Sequence, residues 1–509
     1  MQLTKRSSGV LMHISSLPGD YGIGTLGLEA QNFIDLLVSM NCTYWQILPT
    51  GPVDDYFSPY KSISAFAGNP LLIDLDILFQ WDLLSKDELS SCQSFDSPYS
   101  INYSAIIKNR KTIFKLAFSR LTHKQNERIR NYCEANSEWL PDFSLYSALS
   151  DFFSENDWTK WIDTNLVHRN PSALSSVRAK LAEEINYHNF LQYAYDKQWR
   201  DLKNYANSKG IKIIGDLPIY VAHTSSDVWS HPELFQLNNK GYPLEVAGVP
   251  PDYFSENGQL WGNPLYRWDV MKENGYSWWM NRLKTALLTY DYVRIDHFRS
   301  FSAYWSIPAS EPTAKNGRWV SGPGIDFFNA LNNCFPNPNI IAEDLGLQDV
   351  ALTELLYQTG FPGMRIMEFA FMDNNDNIHL PHNYKPNMVV YSGTHDNNTL
   401  LGTLFEYSIE QRTYAFNYCG YNDQWENQWQ LGGYHSLSCR AFIRTLWQSV
   451  ANLVILPIQD ICGFGKDTRM NKPGTTSNNW LFRMTRDGLS QIDIDWMKQM
   501  NSIYKRTIG

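Results

Sequence analysis

A (β/α)8 barrel is the fold class this sequence predicts, from three observations. Eight short apolar stretches punctuate the 509 residues. Helical stretches separate most of them, and several end in polar or acidic residues. That is the sequence form of a barrel with its functional groups on the C-terminal rim of the strands.

The first stretch, residues 8–15, reads as a short buried strand. A loop with Pro18, Gly19, Gly22 and Gly24 follows. Residues 28–40 place Phe33, Ile34, Leu36, Leu37 and Met40 on one face and predict a helix. Residues 43–49 predict the second strand, completing a βα start. Residues 54–70 are loop-like. Residues 71–190 carry amphipathic helical segments, including 104–121 and 174–186, and are expected to form an inserted helical subdomain. A helix over 187–208 leads to a third strand at 211–221. Residues 222–265 are aromatic and rich in Gly and Pro, as expected of an irregular active-site excursion. A helix over 275–288 precedes the strand at 289–296. Further strands are expected at 339–344, 363–369, 387–396 and 452–460, with a helix over 349–358 and a rim insertion over 397–435. The whole chain, 1–509, is thus expected to be a single barrel domain with insertions. No additional N-terminal module is expected, because the first strand begins by residue 8. A doubly wound open sheet would show a phosphate-binding GxGxxG turn after its first strand. The Gly-rich run at 18–25 lacks that spacing.

Composition narrows the function. A net charge of -9 disfavours nucleic acid or an anionic membrane as partner. Seven Cys at wide spacings, with no CxxC, suit reduced thiols and a reducing compartment. The sequence shows neither a signal-peptide pattern nor an apolar run of about 18 residues. A soluble cytoplasmic protein is expected. Eighteen Trp and 29 Tyr suit a large aromatic core, and equally sugar binding by ring stacking.

The chemistry concentrates at strand ends. Asp216, Asp296, Glu343 with Asp344, and Asp396 each close a predicted strand. A single such residue is ordinarily a turn former or helix cap. Four on one barrel rim are different, because crowded carboxylates repel. Two chemistries gather them: glycosyl transfer and metal binding. In the first, Asp296 is the candidate nucleophile. Arg294, two residues earlier, faces the same side of the strand and can hold that carboxyl ionised. Glu343 follows Ile340, Ile341 and Ala342, whose apolar surround can raise its pKa and make it the acid. Asp396 can clamp sugar hydroxyls, and His395 beside it is a hydroxyl donor or a packed strand histidine. The metal alternative draws on His297 and His395, each next to an Asp. The first strand, however, offers only His13, and no HExxH occurs.

With these residues assembled, the chain resembles the 4-alpha-glucanotransferases of glycoside hydrolase family 77 in the alpha-amylase clan, also called amylomaltases or disproportionating enzymes. The resemblance rests on ordered blocks. They include Ser58-Pro59-Tyr60, Gly215-Asp216-Leu217-Pro218, Gly248-Val249-Pro250-Pro251-Asp252-Tyr253-Phe254, and Gln259-Leu260-Trp261-Gly262-Asn263-Pro264. They continue with Arg294-Ile295-Asp296-His297-Phe298-Arg299, Ala342-Glu343-Asp344, Gly393-Thr394-His395-Asp396-Asn397 and Arg469-Met470-Asn471. The match is poor over 71–190, and Ser62 and Ile63 depart from the family's pattern.

The resemblance implies a (β/α)8 barrel acting by double displacement on alpha-1,4-glucans, with glucose or another glucan as acceptor. It matches Asp296 to the nucleophile, Glu343 to the acid/base and Asp396 to a third carboxylate that distorts the sugar. Arg294, His395 and Asp216 match substrate-binding positions, and Tyr60 a ring that stacks on the donor sugar. The segment 247–261 matches a mobile loop over the acceptor groove. Its Tyr253, Phe254 and Trp261 are the expected sugar platforms, and Asn263 beyond it joins the substrate-binding set. No cofactor or metal is implied. The sequence leaves oligomeric state open.

Overall fold

The computed structural model describes residues 3–93, 97–251, 255–346, 349–372, 377–422 and 428–507. Eight parallel strands form its central sheet, numbered here in chain order: β1 Ser7–Leu11, β2 Tyr44–Gln46, β3 Lys212–Pro218, β4 Tyr292–Asp296, β5 Ile340–Ala342, β6 Gly363–Ile366, β7 Met388–Tyr391 and β8 Leu453–Pro457. Each falls on one of the eight predicted stretches. Every strand lies beside its neighbours in sequence, and β8 returns to pair with β1. The sheet is a (β/α)8 barrel.

Its strands are apolar because both faces are buried, as parallel sheets require. Val10, Trp45, Ile213, Val293, Ile341, Met364, Val390 and Ile455 are all fully buried. β5 and β6 lie side by side without a strand ladder between them. Ala342 N–H donates to the Pro362 carbonyl at 2.9 Å. The Asp344 carboxylate then accepts from Met364 N–H at 2.6 Å and from the Arg365 guanidinium at 2.9 Å. A side chain therefore completes the closure where backbone pairing runs short.

The helices follow their local signals. Leu28–Ser39 buries Ala30, Phe33, Ile34 and Leu37. Val350–Thr359 begins where the Asp349 side chain accepts from Leu352 N–H and stops at Gly360, whose φ is +64°. Between β2 and β3 the chain holds helices over Tyr103–Ser119, His123–Ala135, Leu140–Phe153 and Pro171–Lys180, among others. One correction applies here. The helix expected over 174–186 breaks at Leu181, and a continuous 27-residue helix, Ala182–Ser208, runs back to β3.

The excursion after β3 is more ordered than expected. Glu245–Val249 and Gln259–Pro264 pair in a four-stranded antiparallel sheet with Ala303–Pro308 and Arg318–Ser321, which follow β4. Gly and Pro hid these strands from the sequence reading. Gly248 is needed there for close approach, since a Cβ would lie 2.2 Å from the Gln259 carbonyl oxygen. All seven cysteines are unpaired. Among the described residues no helix is long and apolar enough to cross a membrane.

The β5–β6 seam is testable. Asp344→Ala leaves the buried Met364 N–H without its acceptor and takes the carboxylate from the half-buried Arg365, and is expected to cost roughly 1–3 kcal/mol of unfolding free energy. Asp344→Asn, which keeps one acceptor for Met364, is expected to lose less. Denaturant midpoints of the two variants would check this; equal midpoints at the parent value would refute it.

Candidate active site

The rim of the barrel brings together Asp216 at the end of β3, Asp296 ending β4, Glu343 just past β5, and His395 and Asp396 beyond β7. Arg294 is the centre of this group. Its Nη1 donates to both Asp216 carboxylate oxygens at 2.7 Å, and its Nη2 is 3.0 Å from Asp296 Oδ1. The two-residue spacing of Arg294 and Asp296 puts both on one side of β4. The register of β3 against β4 sets Asp216 opposite Arg294. Arg294 and Asp216 are buried, while the Asp296 side chain keeps 28% exposure toward the rim. One guanidinium thus neutralises a buried carboxylate and reaches a second that stays accessible.

Asp296 and Glu343 differ in surroundings. Burial raises the Asp296 carboxyl, Arg294 pulls it back, and Asp216 pushes it up again, leaving it near 6. Arg294 does pull the Asp296 carboxyl down, as expected, but offsets burial only in part. Glu343 is pushed higher, to about 8, first by burial and then by the charge of Asp296. Its oxygens accept from two backbone amides, His297 N–H at 2.6 Å and Leu345 N–H at 2.8 Å. His297 can aim its N–H this way because it adopts the left-handed conformation, φ +51°. The apolar lead Ile340, Ile341 and Ala342 is fully buried beneath Glu343.

On the other side of the rim, Tyr60 ties the groups together. Its hydroxyl donates to Asp216 Oδ2 at 2.6 Å, and its ring stacks on His395 with centroids 4.8 Å apart. His395 Nε2 lies 3.4 Å from Asp396 Oδ2. Burial raises the Asp396 carboxyl, but His395 and the Asn471 amide, 2.6 Å away, outweigh it and hold the group below the usual carboxylate range. Its side chain is 48% exposed, so water tempers these pulls.

The remaining sequence candidates divide. Trp261 stands edge-to-face against His297 at 4.8 Å, half-buried beside β4's end. Asn263 is buried and donates to the Val221 carbonyl at 2.8 Å, which makes its amide a brace of the loop. Tyr253 and Phe254 lie outside the described residues. Asp344, grouped with Glu343 in sequence, instead binds β6. The sequence reading missed Trp480, packed near both Tyr60 and His395, and the clamp on Asp396 from Asn471 and Arg469. Arg469 and Asn471 stand in a block already noted for its resemblance. No local signal marks Trp480. Among the described residues no three His, Cys, Asp or Glu are grouped to hold a metal ion.

A family model described as 4-alpha-glucanotransferase, glycoside hydrolase family 77, matches residues 12–489. The chain belongs to this family. The activity of the chain is therefore transfer of 4-alpha-linked glucan. A 4-alpha-glucanotransferase of Clostridium butyricum is 44% identical over 475 residues, covering 93% of this chain and 95% of that protein. One from Thermus thermophilus is 41% identical, covering 95% and 96%. The amylomaltase of Streptococcus agalactiae, solved in complex with acarbose, superposes with a TM-score of 0.95 at 40% identity, covering 99% of this chain and all of that one.

Removing the central cation is expected to act on both charge and fold. Arg294→Gln leaves Asp216 buried without its partner, at a cost of about 3–5 kcal/mol. It also removes the group that lowers the Asp296 pKa, so the acid limb of kcat/KM is expected to move to higher pH. A limb that stays in place in a folded Arg294→Gln enzyme would refute this electrostatic role.

Proposed function

We propose that this glucanotransferase works by double displacement with Asp296 as nucleophile and Glu343 as acid/base. The observation that carries the reading is the pair of unlike environments at adjacent strand ends. Asp296 has a guanidinium at 3.0 Å, whereas Glu343 is buried above three apolar residues. Between about pH 6 and 8 the nucleophile is ionised while the acid keeps its proton.

In the first step Glu343 gives its proton to the glycosidic oxygen as Asp296 attacks the anomeric carbon. The C–O bond to the leaving glucan breaks and a glycosyl ester on Asp296 forms. In the second step Glu343, now a carboxylate, takes the proton of an acceptor 4-hydroxyl, whose oxygen displaces Asp296. Two inversions return the alpha configuration. The two amides on Glu343 stabilise its anion and so ease release of its proton in the first step, while burial and the charge of Asp296 keep it basic enough for the second. Asp396, held ionised, is placed to bind sugar hydroxyls and to favour positive charge developing on the ring. Asp216 and Arg294 hold Asp296. The free face of Tyr60 and the edge of Trp261 are the proposed sugar contacts, with Tyr253 and Phe254 assigned to the acceptor side on the family resemblance alone.

Donor and acceptor are read as alpha-1,4-glucans, glucose included, which fits the acarbose complex of the Streptococcus agalactiae amylomaltase. A cytoplasmic setting fits the seven unpaired thiols.

Maltotriose tests the activity. The parent enzyme is expected to give glucose and a ladder of longer oligosaccharides; shortening without elongation would sink the transfer reading. Glu343→Gln is expected to lose about 10²–10⁴-fold in rate, and Asp296→Asn about 10⁴-fold, with glucan binding retained. The kcat/KM profile of the parent should be a bell with limbs near pH 6 and 8. A profile flat across that range would count against the assignment.

A further inference from the structure

Behind the loop that carries Tyr60 lies a second cavity, of about 170 Å3, that the mechanism does not use. Phe66, Trp139, Phe143 and Trp278 wall it with aromatic surface. Phe66 and Trp139 stack with centroids 6.0 Å apart and planes 12° from parallel, and Trp278 meets Phe66 edge-on. Trp278 is buried, and its indole Nε1 has no hydrogen-bond partner. Buried indole N–H groups ordinarily find one, since leaving a donor unmet costs about 1–3 kcal/mol. Polar groups of Ser230, His231, Glu233, Asn274, Ser277 and Asn281 line the remaining wall, part of it open to solvent. Aromatic faces with convergent hydroxyl, amide and carboxylate groups are what a pyranose ring requires. The volume lies below the roughly 300 Å3 of drug-sized pockets, which suits one ring rather than a chain.

We propose that this cavity is a second saccharide site, taking one hexopyranose unit: free glucose or the terminal residue of an alpha-glucan. The site touches the active centre from behind. Ser64, Phe66 and Trp139 also line a neighbouring cavity that reaches Tyr60 and Asp216. Asp227, in the wall of the second site, accepts from Ala65 N–H at 2.8 Å and so anchors the Tyr60 loop. An occupant packed on Phe66 presses on that loop. The proposal is independent of the catalytic assignment, because an Asp296→Asn enzyme retains every residue of the cavity.

Glucose binding to Asp296→Asn enzyme, with acarbose present to saturation, tests it by saturation-transfer NMR and calorimetry. One acarbose per chain is expected to cover the catalytic groove and leave one glucose site; a second acarbose that displaces this glucose assigns the site to a chain end. Trp139→Ala is expected to weaken the remaining binding about tenfold. Asn281→Phe, which fills the cavity from its polar wall, is expected to abolish it while acarbose binding stays at the parent value. Maltotetraose in place of glucose distinguishes the two sources: binding of both assigns the site to a chain end, and binding of glucose alone to the free sugar. Loss of all glucose binding with only one acarbose bound per chain would overturn the proposal, as would unchanged glucose binding in folded Asn281→Phe enzyme.

Discussion

Arg294 between Asp216 and Asp296 is the interaction on which the rest of the site depends. Three ionised groups on two paired strands, close to the barrel's fully buried core, would be prohibitive without it. With Nη1 on Asp216 at 2.7 Å and Nη2 on Asp296 at 3.0 Å, one cation compensates two anions. The arrangement fixes which carboxylate is spent on structure. Asp216 takes a bidentate bond and the Tyr60 hydroxyl, leaving its side chain with no exposure. Asp296 takes one contact and keeps an open side. The division of labour follows from strand register, which sets Asp216 opposite Arg294 and Pro218 opposite Asp296.

Much of this was legible in sequence, because a strand's period of two is a rigid rule. Arg294 and Asp296 had to share a face, and Ile340, Ile341 and Ala342 had to enter a core. The barrel strands were readable for the same reason: buried parallel strands are near-continuous apolar runs. What escaped reading is what depends on distant partners. Asp344 sits beside Glu343 in the chain yet serves β6, a choice made by the Met364 N–H and the Arg365 side chain. Trp480 reaches Tyr60 and His395 from a loop some 420 residues beyond Tyr60, as the numbering of the two residues shows. The second sheet was hidden by the glycines and prolines that normally argue against strands. At Gly248 the glycine is present because another strand's carbonyl leaves no room for a Cβ.

The raised pKa of Glu343 has a thermodynamic cost with a definite sign. Its folded pKa, near 8, lies above the ordinary 4.5. Between those values the folded state binds a proton that the unfolded chain has released. Stability linked to this group is therefore complete below about 4.5 and erodes as pH rises toward 8. A salt-bridged carboxylate behaves in the opposite way. Asp396, held below its ordinary value by His395 and Asn471, contributes stability above that value and loses it on acidification. The rim thus contains one carboxyl stabilised as acid and one as base, and working pH lies where both hold.

The fold gives transfer rather than hydrolysis a physical setting. The loops after β3 and β4 do not extend independently into solvent. They share one antiparallel sheet, in which Val246 pairs with Ile307 and Trp305 with Trp319. Trp261 belongs to that sheet and rests on His297, the residue that follows Asp296 and whose N–H holds Glu343. The wall proposed to receive the acceptor is thereby joined, through two residues, to both carboxylates proposed to act on it. A sugar ordered against this wall would meet the proposed glycosyl ester from a fixed direction, whereas water gains nothing from the aromatic surface. Preference for a sugar acceptor then follows from the positioning of the site rather than from any difference in the chemistry of the two hydroxyl groups.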